Sequence, residues 1–256
     1  MLLMWTGGAD STFLLWALLA SGYKVRTLCV RHGQLGHDEQ QAVARCAVAW
    51  RLGELGLPAW DHTDVRLDYA GADMSVLGGG LPQPAMWLGL GVPHLRRNEH
   101  LVLGWHRGDD VWQSRASIES AHAALSQLMQ MDDRKGRLLA PLEGIYKQQI
   151  VAALDELDLG DIIWTCENPI PGHTAPCGRC LPCASLAMAR AWRTGAPQWD
   201  QWDGASAESL RETAMGEMRD QIRMSGGAST GLLRSEVSAR LIETVAELAR
   251  TKETTP

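Results

Sequence analysis

The amino-acid sequence predicts an α/β protein with a doubly wound parallel sheet, and two observations lead to this prediction. First, short apolar segments alternate with segments of helical periodicity over residues 1–65, in the order strand, helix, strand, helix, strand. Second, a glycine-rich turn, Thr6-Gly7-Gly8-Ala9-Asp10-Ser11, follows the first apolar segment directly. Because such sheets bind ligands at the carboxyl ends of their strands, this turn is a candidate ligand site.

The elements follow from apolar periodicity and from turn residues. Strands are expected at 2–5, 25–30, 59–65, 100–104 and 137–142, with a short extended piece at 162–165. Helices are expected from Ser11 to Ser21-Gly22 and at 37–55, 118–131, 146–157 and 184–192. The region 67–93 is rich in Gly and Pro and is interpreted as a loop region over the pocket. On the second helix, the predicted inner face consists of Ala42, Val43, Cys46, Ala47 and Trp50.

Composition bounds the class of protein. The chain has 256 residues, of which 45% are hydrophobic, enough for one sizeable domain at 1–195. A helical C-terminal extension is expected at 196–256, with helices at 207–224 and 236–252. No apolar run has the length of a membrane helix and no secretory signal is recognisable, so a cytoplasmic location is expected. The net charge is -6 with scattered basic residues, which argues against long nucleic acid as a partner and favours a small molecule or protein.

The glycine-rich turn has the composition of a phosphate-binding loop. Glycines let successive backbone N–H groups converge on an anion, and the N-terminus of the following helix adds its positive dipole end. The hydroxyls of Thr6 and Ser11 can donate to phosphate oxygens, and Ser11 or Thr12 can also cap the helix. Neither a Walker motif nor a dinucleotide fingerprint is present. The alternative interpretation is a tight turn followed by an N-cap.

Four of the six cysteines form a cluster with metal-ligand spacing: Cys166, Cys177, Cys180 and Cys183. In a cytosolic chain this pattern indicates metal rather than disulfides. Four thiolates without an open position favour a structural, tetrahedral zinc ion. An iron–sulfur cluster is the alternative, because it also uses repeated Cys-x-x-Cys steps.

These two motifs carry a resemblance to a known family. Thr6-Gly7-Gly8-Ala9-Asp10-Ser11 resembles the Ser-Gly-Gly-x-Asp-Ser loop of the N-type ATP pyrophosphatases, PP-loop enzymes of Rossmann-like (HUP) fold, with Thr6 keeping the hydroxyl. Thr165-Cys166-Glu167-Asn168 and Cys177-Gly178-Arg179-Cys180-Leu181-Pro182-Cys183 resemble the zinc loop of the 7-cyano-7-deazaguanine synthases (QueC). Pro141-Leu142 with Lys147, and Gly104 with Asp109, are similar to further family positions. The resemblance covers about residues 1–193.

The resemblance implies an ATP-dependent ligase. Its substrate would be 7-carboxy-7-deazaguanine, whose adenylated carboxylate reacts with ammonia to an amide, which a second activation dehydrates to the nitrile. ATP would bind at Thr6, Gly7, Gly8, Ala9, Asp10, Ser11 and Thr12, and Lys147, Asp109 and Asp10 would be catalytic, with Mg²⁺. Gln34 and Arg115 would bind the acid, and the four cysteines would hold structural zinc. Apart from the resemblance, the aromatic side chains of Trp87, Trp105 or Trp112 are candidates for stacking on the base, with core or loop packing as the alternative.

Several departures keep other hypotheses open. Leu35-Gly36, the stretch 81–87 and Trp112-Gln113-Ser114 differ from the family where the purine analogue would bind. These departures and the tail favour a diverged relative that transfers a deazapurine acid to a protein or another amine, in a phage or anti-phage setting. A tRNA thiolase or lysidine-synthase relative and an inactive nucleotide-binding scaffold are the remaining alternatives. A homodimer is plausible from the family habit and the tail helices.

Overall fold

The structure, a computed structural model, describes residues 1–31, 37–67, 83–128, 136–170, 173–195 and 206–224. These residues form five β-strands and seven α-helices. The strands are β1 (Leu2–Met4), β2 (Arg26–Arg31), β3 (Asp61–Arg66), β4 (Leu101–Val102) and β5 (Leu138–Leu139). The helices are α1 (Ala9–Ala20), α2 (His37–Glu54), α3 (Gln83–His94), α4 (Arg115–Leu128), α5 (Lys147–Glu156), α6 (Leu181–Gly195) and α7 (Ala207–Met224), with a short 3-10 helix at Asp110–Ser114.

All five strands pair in parallel, in the order β3-β2-β1-β4-β5. In register, Leu2 pairs with Arg26 of β2 on one side and with Leu101 of β4 on the other. The predicted α/β class with a parallel sheet is confirmed, and the topology is consistent with a Rossmann-like fold. The chain leaves β1 toward β2 and later returns to β1's other side at β4. In such sheets ligands bind where the strand order reverses, which here is the carboxyl ends of β1 and β4.

The sheet is covered on both faces, as a parallel sheet requires. Successive side chains of β1 alternate: Leu3 and Trp5 pack into one cluster with α1, α2, α5 and α7, whereas Leu2 and Met4 pack into a second cluster with α3 and α4. The sheet is therefore the middle of three layers, and the candidate site residues follow the ends of its strands.

The predicted inner face of α2 is wrong. Val43 is 64% exposed and Trp50 is 74% exposed. The buried residues recur with helical spacing and are partly polar: His37, Gln41, Ala44, Arg45, Val48 and Leu52. Apolar residues occur all around this helix, so apolarity alone does not identify the inner face, and polar contacts beneath the glycine turn set its orientation.

The prediction of a loop over 67–93 is also wrong for its last part, because α3 begins at Gln83 and ends at His94. Pro84 lies in the first turn, where the missing N–H removes no helical hydrogen bond, and Pro93 lies at the other end. Gly91 looks like a helix breaker, but a Cβ there would lie 2.8 Å from Leu101 Cδ1. Close packing on β4 therefore explains this glycine. The rest of the predicted loop, from 68 to 82, lies outside the described residues.

The first helix of the C-terminal extension packs into the main core. Ala207, Leu210, Ala214, Met215 and Met218 join the cluster of α1 and α5. The Gln221 amide donates to the Ala140 carbonyl at 3.2 Å and accepts from the Ala140 N–H at 3.1 Å, which satisfies the backbone just after the edge strand β5. The tail helix predicted at 236–252 lies outside the described residues. None of the helices in the described ranges is long and apolar enough to cross a membrane.

Gly104, just after β4, lies against the first turn of α1. A Cβ at this position would lie 3.0 Å from Ser11 N and 3.2 Å from Asp10 C. These neighbours are backbone atoms of a buried helix, so they cannot move aside cheaply. The glycine therefore allows β4 to end beside the glycine turn.

We expect Gly104→Ala to lower the free energy of unfolding by about 1–3 kcal/mol through overpacking. The matched control is Gly89→Ala on α3, where nothing lies within 4 Å of the new Cβ; it should raise that free energy by up to about 1 kcal/mol through helix propensity. Urea unfolding measures both. Equal stability of the two variants would contradict the tight contact.

Candidate functional site

The glycine turn leaves the N-terminus of α1 open. Gly7 has a φ of 88°, a left-handed conformation that favours glycine. The helix begins at Ala9, two residues before the predicted start, and its N-cap is Gly8 without a side-chain cap. The prediction that Ser11 or Thr12 caps the helix is therefore wrong. The first backbone N–H groups of a helix have no intrahelical acceptor, so those of Ala9, Asp10 and Ser11 suit an anion.

The hydroxyl groups of the turn divide into two environments. Thr6 Oγ1 and Ser11 Oγ lie 3.3 Å apart, and Thr6 Oγ1 also accepts from the Gly8 N–H at 3.3 Å. Thr12 is fully buried, its hydroxyl accepts from the Trp5 indole at 3.2 Å, and its N–H donates to the Gly8 carbonyl. The structure thus brings Thr6 and Ser11 together at the turn and places Thr12 in the core.

Lys147 and Asp10 meet beside the turn. Lys147 is the first residue of α5, and its Nζ donates to Asp10 Oδ2 at 2.5 Å. A cation at a helix N-terminus is disfavoured by the helix dipole, so Asp10 offsets a cost that α5 itself creates. Asp10 Oδ1 is buried without a hydrogen-bond partner among the described residues. Three of the predicted features, the turn, Asp10 and Lys147, therefore lie together.

His106 is a residue of this site that sequence reasoning missed. It lies just beyond β4, is 7% exposed, and feels the charges of Asp10 and Lys147. The Gly108 N–H donates to His106 Nδ1 at 3.0 Å, so the ring proton lies on Nε2, 3.2 Å from Asp109 Oδ1. The His106 N–H also donates to Asp109 Oδ2 at 2.7 Å. His106 thus orients the predicted Asp109. The only sequence signal that could have identified His106 as a site residue is its position just after a strand.

Burial lowers the pKa of His106 to about 4, against the attraction of Asp10, while Lys147 lowers it further. The imidazole is therefore neutral near pH 7. A neutral ring can donate through Nε2 and accept through Nδ1, which is the arrangement found here.

Three tryptophans form a wall next to this group. Trp87 stacks on Trp105 with ring centroids 6.3 Å apart, and Trp112 meets Trp105 edge-on at 6.2 Å. The Trp112 indole donates to the His106 carbonyl at 2.7 Å, which ties the wall to the strand end. Of the predicted acid-binding residues, Trp87 belongs to this wall, whereas Gln34 lies outside the described residues.

Arg115, the third predicted acid-binding residue, is paired within the protein. Its guanidinium group lies 5.0 Å from the centre of the Trp112 ring and forms an ion pair with Glu143. Glu143 Oε2 is buried without a hydrogen-bond partner among the described residues. Arg115 therefore lies beside the tryptophan wall with its charge offset by a carboxylate.

The four predicted cysteines form one group. The sulfur atoms of Cys166, Cys177, Cys180 and Cys183 all lie within 4.8 Å of one another. A tetrahedral ion with Zn–S distances of about 2.3 Å needs sulfurs about 3.8 Å apart, so the group fits a single ion closely. In an iron–sulfur cluster the four thiolates are divided among two or four irons, so they cannot all lie this close to one another. The predicted cluster is confirmed as a group that could bind a metal such as zinc.

Hydrogen bonding to sulfur supports that role. The Arg179 backbone N–H lowers the pKa of Cys177 to about 6, and further N–H groups point at the sulfurs, from Cys177 to Cys166 and from Cys180 to Cys177. Such donors stabilise the thiolate form that binds metal. Burial, in contrast, raises the pKa of Cys166 and raises that of Cys183 to about 12, so hydrogen bonding favours the thiolate at Cys177 and a bound cation would have to stabilise it at the other two.

The cysteine group and the glycine turn are connected through Trp164. The Trp164 N–H donates to the Gly7 carbonyl at 2.9 Å, and the Trp164 indole donates to the Cys166 carbonyl at 2.9 Å. Ala44 of α2 packs against Trp164, Cys166 and Cys183. A metal bound by the cysteines would thus hold the segment that supports the turn.

Comparison with known proteins adds no family assignment. No protein-family model matches the chain, and no curated protein is similar to it in sequence.

We expect purified protein to contain one equivalent of metal and Cys166→Ser to lose it, because three thiolates leave the tetrahedron incomplete. Cys46→Ser is the matched control, since Cys46 is exposed and remote from the group in sequence. Elemental analysis of the dialysed proteins measures this. Equal metal content in the two variants would contradict the assignment of the cysteines as ligands.

The low pKa of His106 predicts a pH-dependent stability. The unfolded state binds the histidine proton more tightly, so stability from the neutral ring is fully present above about pH 6.5 and is lost as pH falls toward 4. His106→Asn should flatten the stability profile in that window, by at most about 1.4 kcal/mol per pH unit. Urea unfolding across pH 4–8 tests this, and an unchanged slope would refute it.

Proposed function

We propose that this protein is an ATP-dependent ligase that adenylates the carboxylate of 7-carboxy-7-deazaguanine and, with ammonia, converts it through the amide to 7-cyano-7-deazaguanine. The observation that carries the proposal is the convergence of an uncapped helix N-terminus, Lys147 and Asp10 at the carboxyl end of β1. The motif resemblance to 7-cyano-7-deazaguanine synthases supplies the identity of the acid and the reaction sequence.

The positive groups at the start of α1 would bind the phosphates of ATP. The N–H groups of Ala9, Asp10 and Ser11, which no side chain caps, and the ammonium group of Lys147 are donors grouped at the start of α1. When ATP binds, its phosphates compete with Asp10 for Lys147. The lysine then neutralises charge that grows on the pyrophosphate as the α–β bond breaks, which is the main contribution a protein makes to this chemistry.

Asp10 and Asp109 suit a divalent cation. Asp10 Oδ1 is a buried carboxylate oxygen without a partner among the described residues, and carboxylate oxygens are the protein ligands that Mg²⁺ prefers. Mg²⁺ would bind through these oxygens and polarise the phosphates. His106 keeps Asp109 oriented: its backbone N–H donates to Asp109 Oδ2, and its ring Nε2 lies 3.2 Å from Asp109 Oδ1.

The tryptophan wall supports a flat heterocycle as the acid. Trp87 and Trp112 are only partly buried and pack on the buried Trp105, so these two rings would offer the aromatic surface. The cysteine group would hold zinc, with a structural role, because four thiolates leave no open coordination position. Its contribution is to fix Trp164, which supports the turn.

A second candidate keeps the adenylation and changes the acceptor to a protein or another amine. The pairing of Arg115 with Glu143 favours it, since a paired arginine has less charge to offer a substrate carboxylate. The acid would then be held mainly by the aromatic wall and by its own activation at the turn.

The test is mass spectrometry of the products after incubating zinc-loaded protein with ATP, Mg²⁺, ammonia and 7-carboxy-7-deazaguanine. The proposal predicts AMP together with the amide or nitrile. AMP without amide or nitrile would favour the second candidate. No AMP would refute the adenylation of this acid.

The same assay tests Lys147. Lys147→Met removes the charge but keeps most of the side-chain volume, and we expect AMP formation to fall by about 10²–10³-fold, as when one oxyanion-stabilising donor is removed. Lys24→Met changes an exposed lysine and should leave the rate unchanged. Equal rates for the two variants would remove Lys147 from the mechanism.

A further inference from the structure

A buried arginine lies directly beneath the glycine turn. Arg45 of α2 is 4% exposed. Its guanidinium group donates to Asp64 Oδ1 at 3.0 Å, to Cys29 Sγ at 3.0 Å and to the Thr6 carbonyl at 3.5 Å. One side chain thus connects the glycine turn to strands β2 and β3.

The aliphatic part of Arg45 forms the floor of the turn. A Cβ on Gly7 would lie 3.1 Å from Arg45 Cγ and 3.3 Å from the Gln41 carbonyl. Gly7 therefore rests on the arginine stem, while its own carbonyl accepts from Trp164 on another side. The left-handed conformation of Gly7 is fixed from two directions.

The charge of Arg45 is only partly offset. Asp64 is its one anionic contact among the described residues, and that carboxylate is shared with His62 at 3.2 Å and Arg31 at 3.8 Å. Burial raises the pKa of Cys29 to about 12, so the thiol stays neutral. Burying a cation has a large desolvation cost, which a purely packing role would not require, since an apolar side chain could fill the same space.

We propose that Arg45 is a positioning residue for phosphate binding: it holds Thr6 and Gly7 in the conformation that directs the α1 N–H groups at the anion, and adds positive potential from below. This inference rests on the proposed nucleotide function. It assigns a role to a residue outside the motif, on the neighbouring helix.

The test separates this role from stability. Arg45→Met alone would leave the Asp64 carboxylate without its main partner, so the informative variant is the double substitution Arg45→Met/Asp64→Leu, which removes both charges of the pair. The matched control is Arg96→Met, because Arg96 also pairs with an aspartate of β3, Asp61 at 3.8 Å, but is 66% exposed. Calorimetry with ATP and with adenosine measures the phosphate-dependent part of binding.

We expect the double variant to unfold near the wild-type midpoint, to bind ATP at least about tenfold more weakly and to bind adenosine as wild type does, because only the phosphates contact the turn. Arg96→Met should match wild type for both ligands. If the double variant binds ATP normally, or loses ATP and adenosine affinity in equal proportion, the positioning role is wrong.

Arg45→Lys provides a measurement on a protein that keeps the buried charge. Lysine lacks the planar fork that reaches three acceptors, so positioning predicts ATP binding at least about threefold weaker. Unchanged ATP binding would overturn the proposal. Wild-type protein that binds no ATP would instead refute the proposed function, whereas normal wild-type binding with unaffected variants refutes the role of Arg45 alone.

Discussion

The hydrogen bond from the Trp164 N–H to the Gly7 carbonyl joins the two motifs on which the site depends. Gly7 adopts a positive φ, and its carbonyl must point away from the open N-terminus of α1 so that the N–H groups face outward. The Trp164 N–H is the donor to this carbonyl, and the Trp164 indole donates to the Cys166 carbonyl. The cysteine group is therefore linked to the turn through two hydrogen bonds, so a metal bound by the cysteines would also hold the turn in place.

The parallel topology explains why residues distant in sequence meet there. In a sheet whose strands all run the same way, every carboxyl end lies at the same edge. Asp10 follows β1, His106 and Asp109 follow β4, and Lys147 follows β5, and β1, β4 and β5 are consecutive neighbours. Gly104 completes the arrangement because its lack of a side chain lets β4 approach α1. Strand order thus brings these residues to one edge of the sheet, and the conformation of the glycine turn completes the site.

Local patterns were sufficient to predict the strands, most helices, the glycine turn and the cysteine group, because each is encoded by adjacent residues. Local patterns failed where contacts between residues distant in sequence determine which side chains are buried or lie in the site. The buried face of α2 follows Arg45 and its partners on other strands, which no periodicity of apolar residues reveals. His106 carries no motif, and its importance comes from the proximity of Asp10 and Lys147 across the sheet. In α3, Gly91 serves packing on β4, whereas its sequence context indicates a loop.

The balance of charge around the turn favours a polyanion as the ligand. Lys147 stands at a helix N-terminus and Arg45 is buried beneath Gly7, so both cations lie where desolvation or the helix dipole disfavours them. One partner, Asp10, has an oxygen without any hydrogen bond among the described residues, which indicates that the present pairing is incomplete. Phosphate oxygens would engage Lys147 and the free N–H groups together, while a divalent cation would engage Asp10. Under the proposed function, ATP with Mg²⁺ would engage both Lys147 and the Asp10 oxygen that has no partner among the described residues.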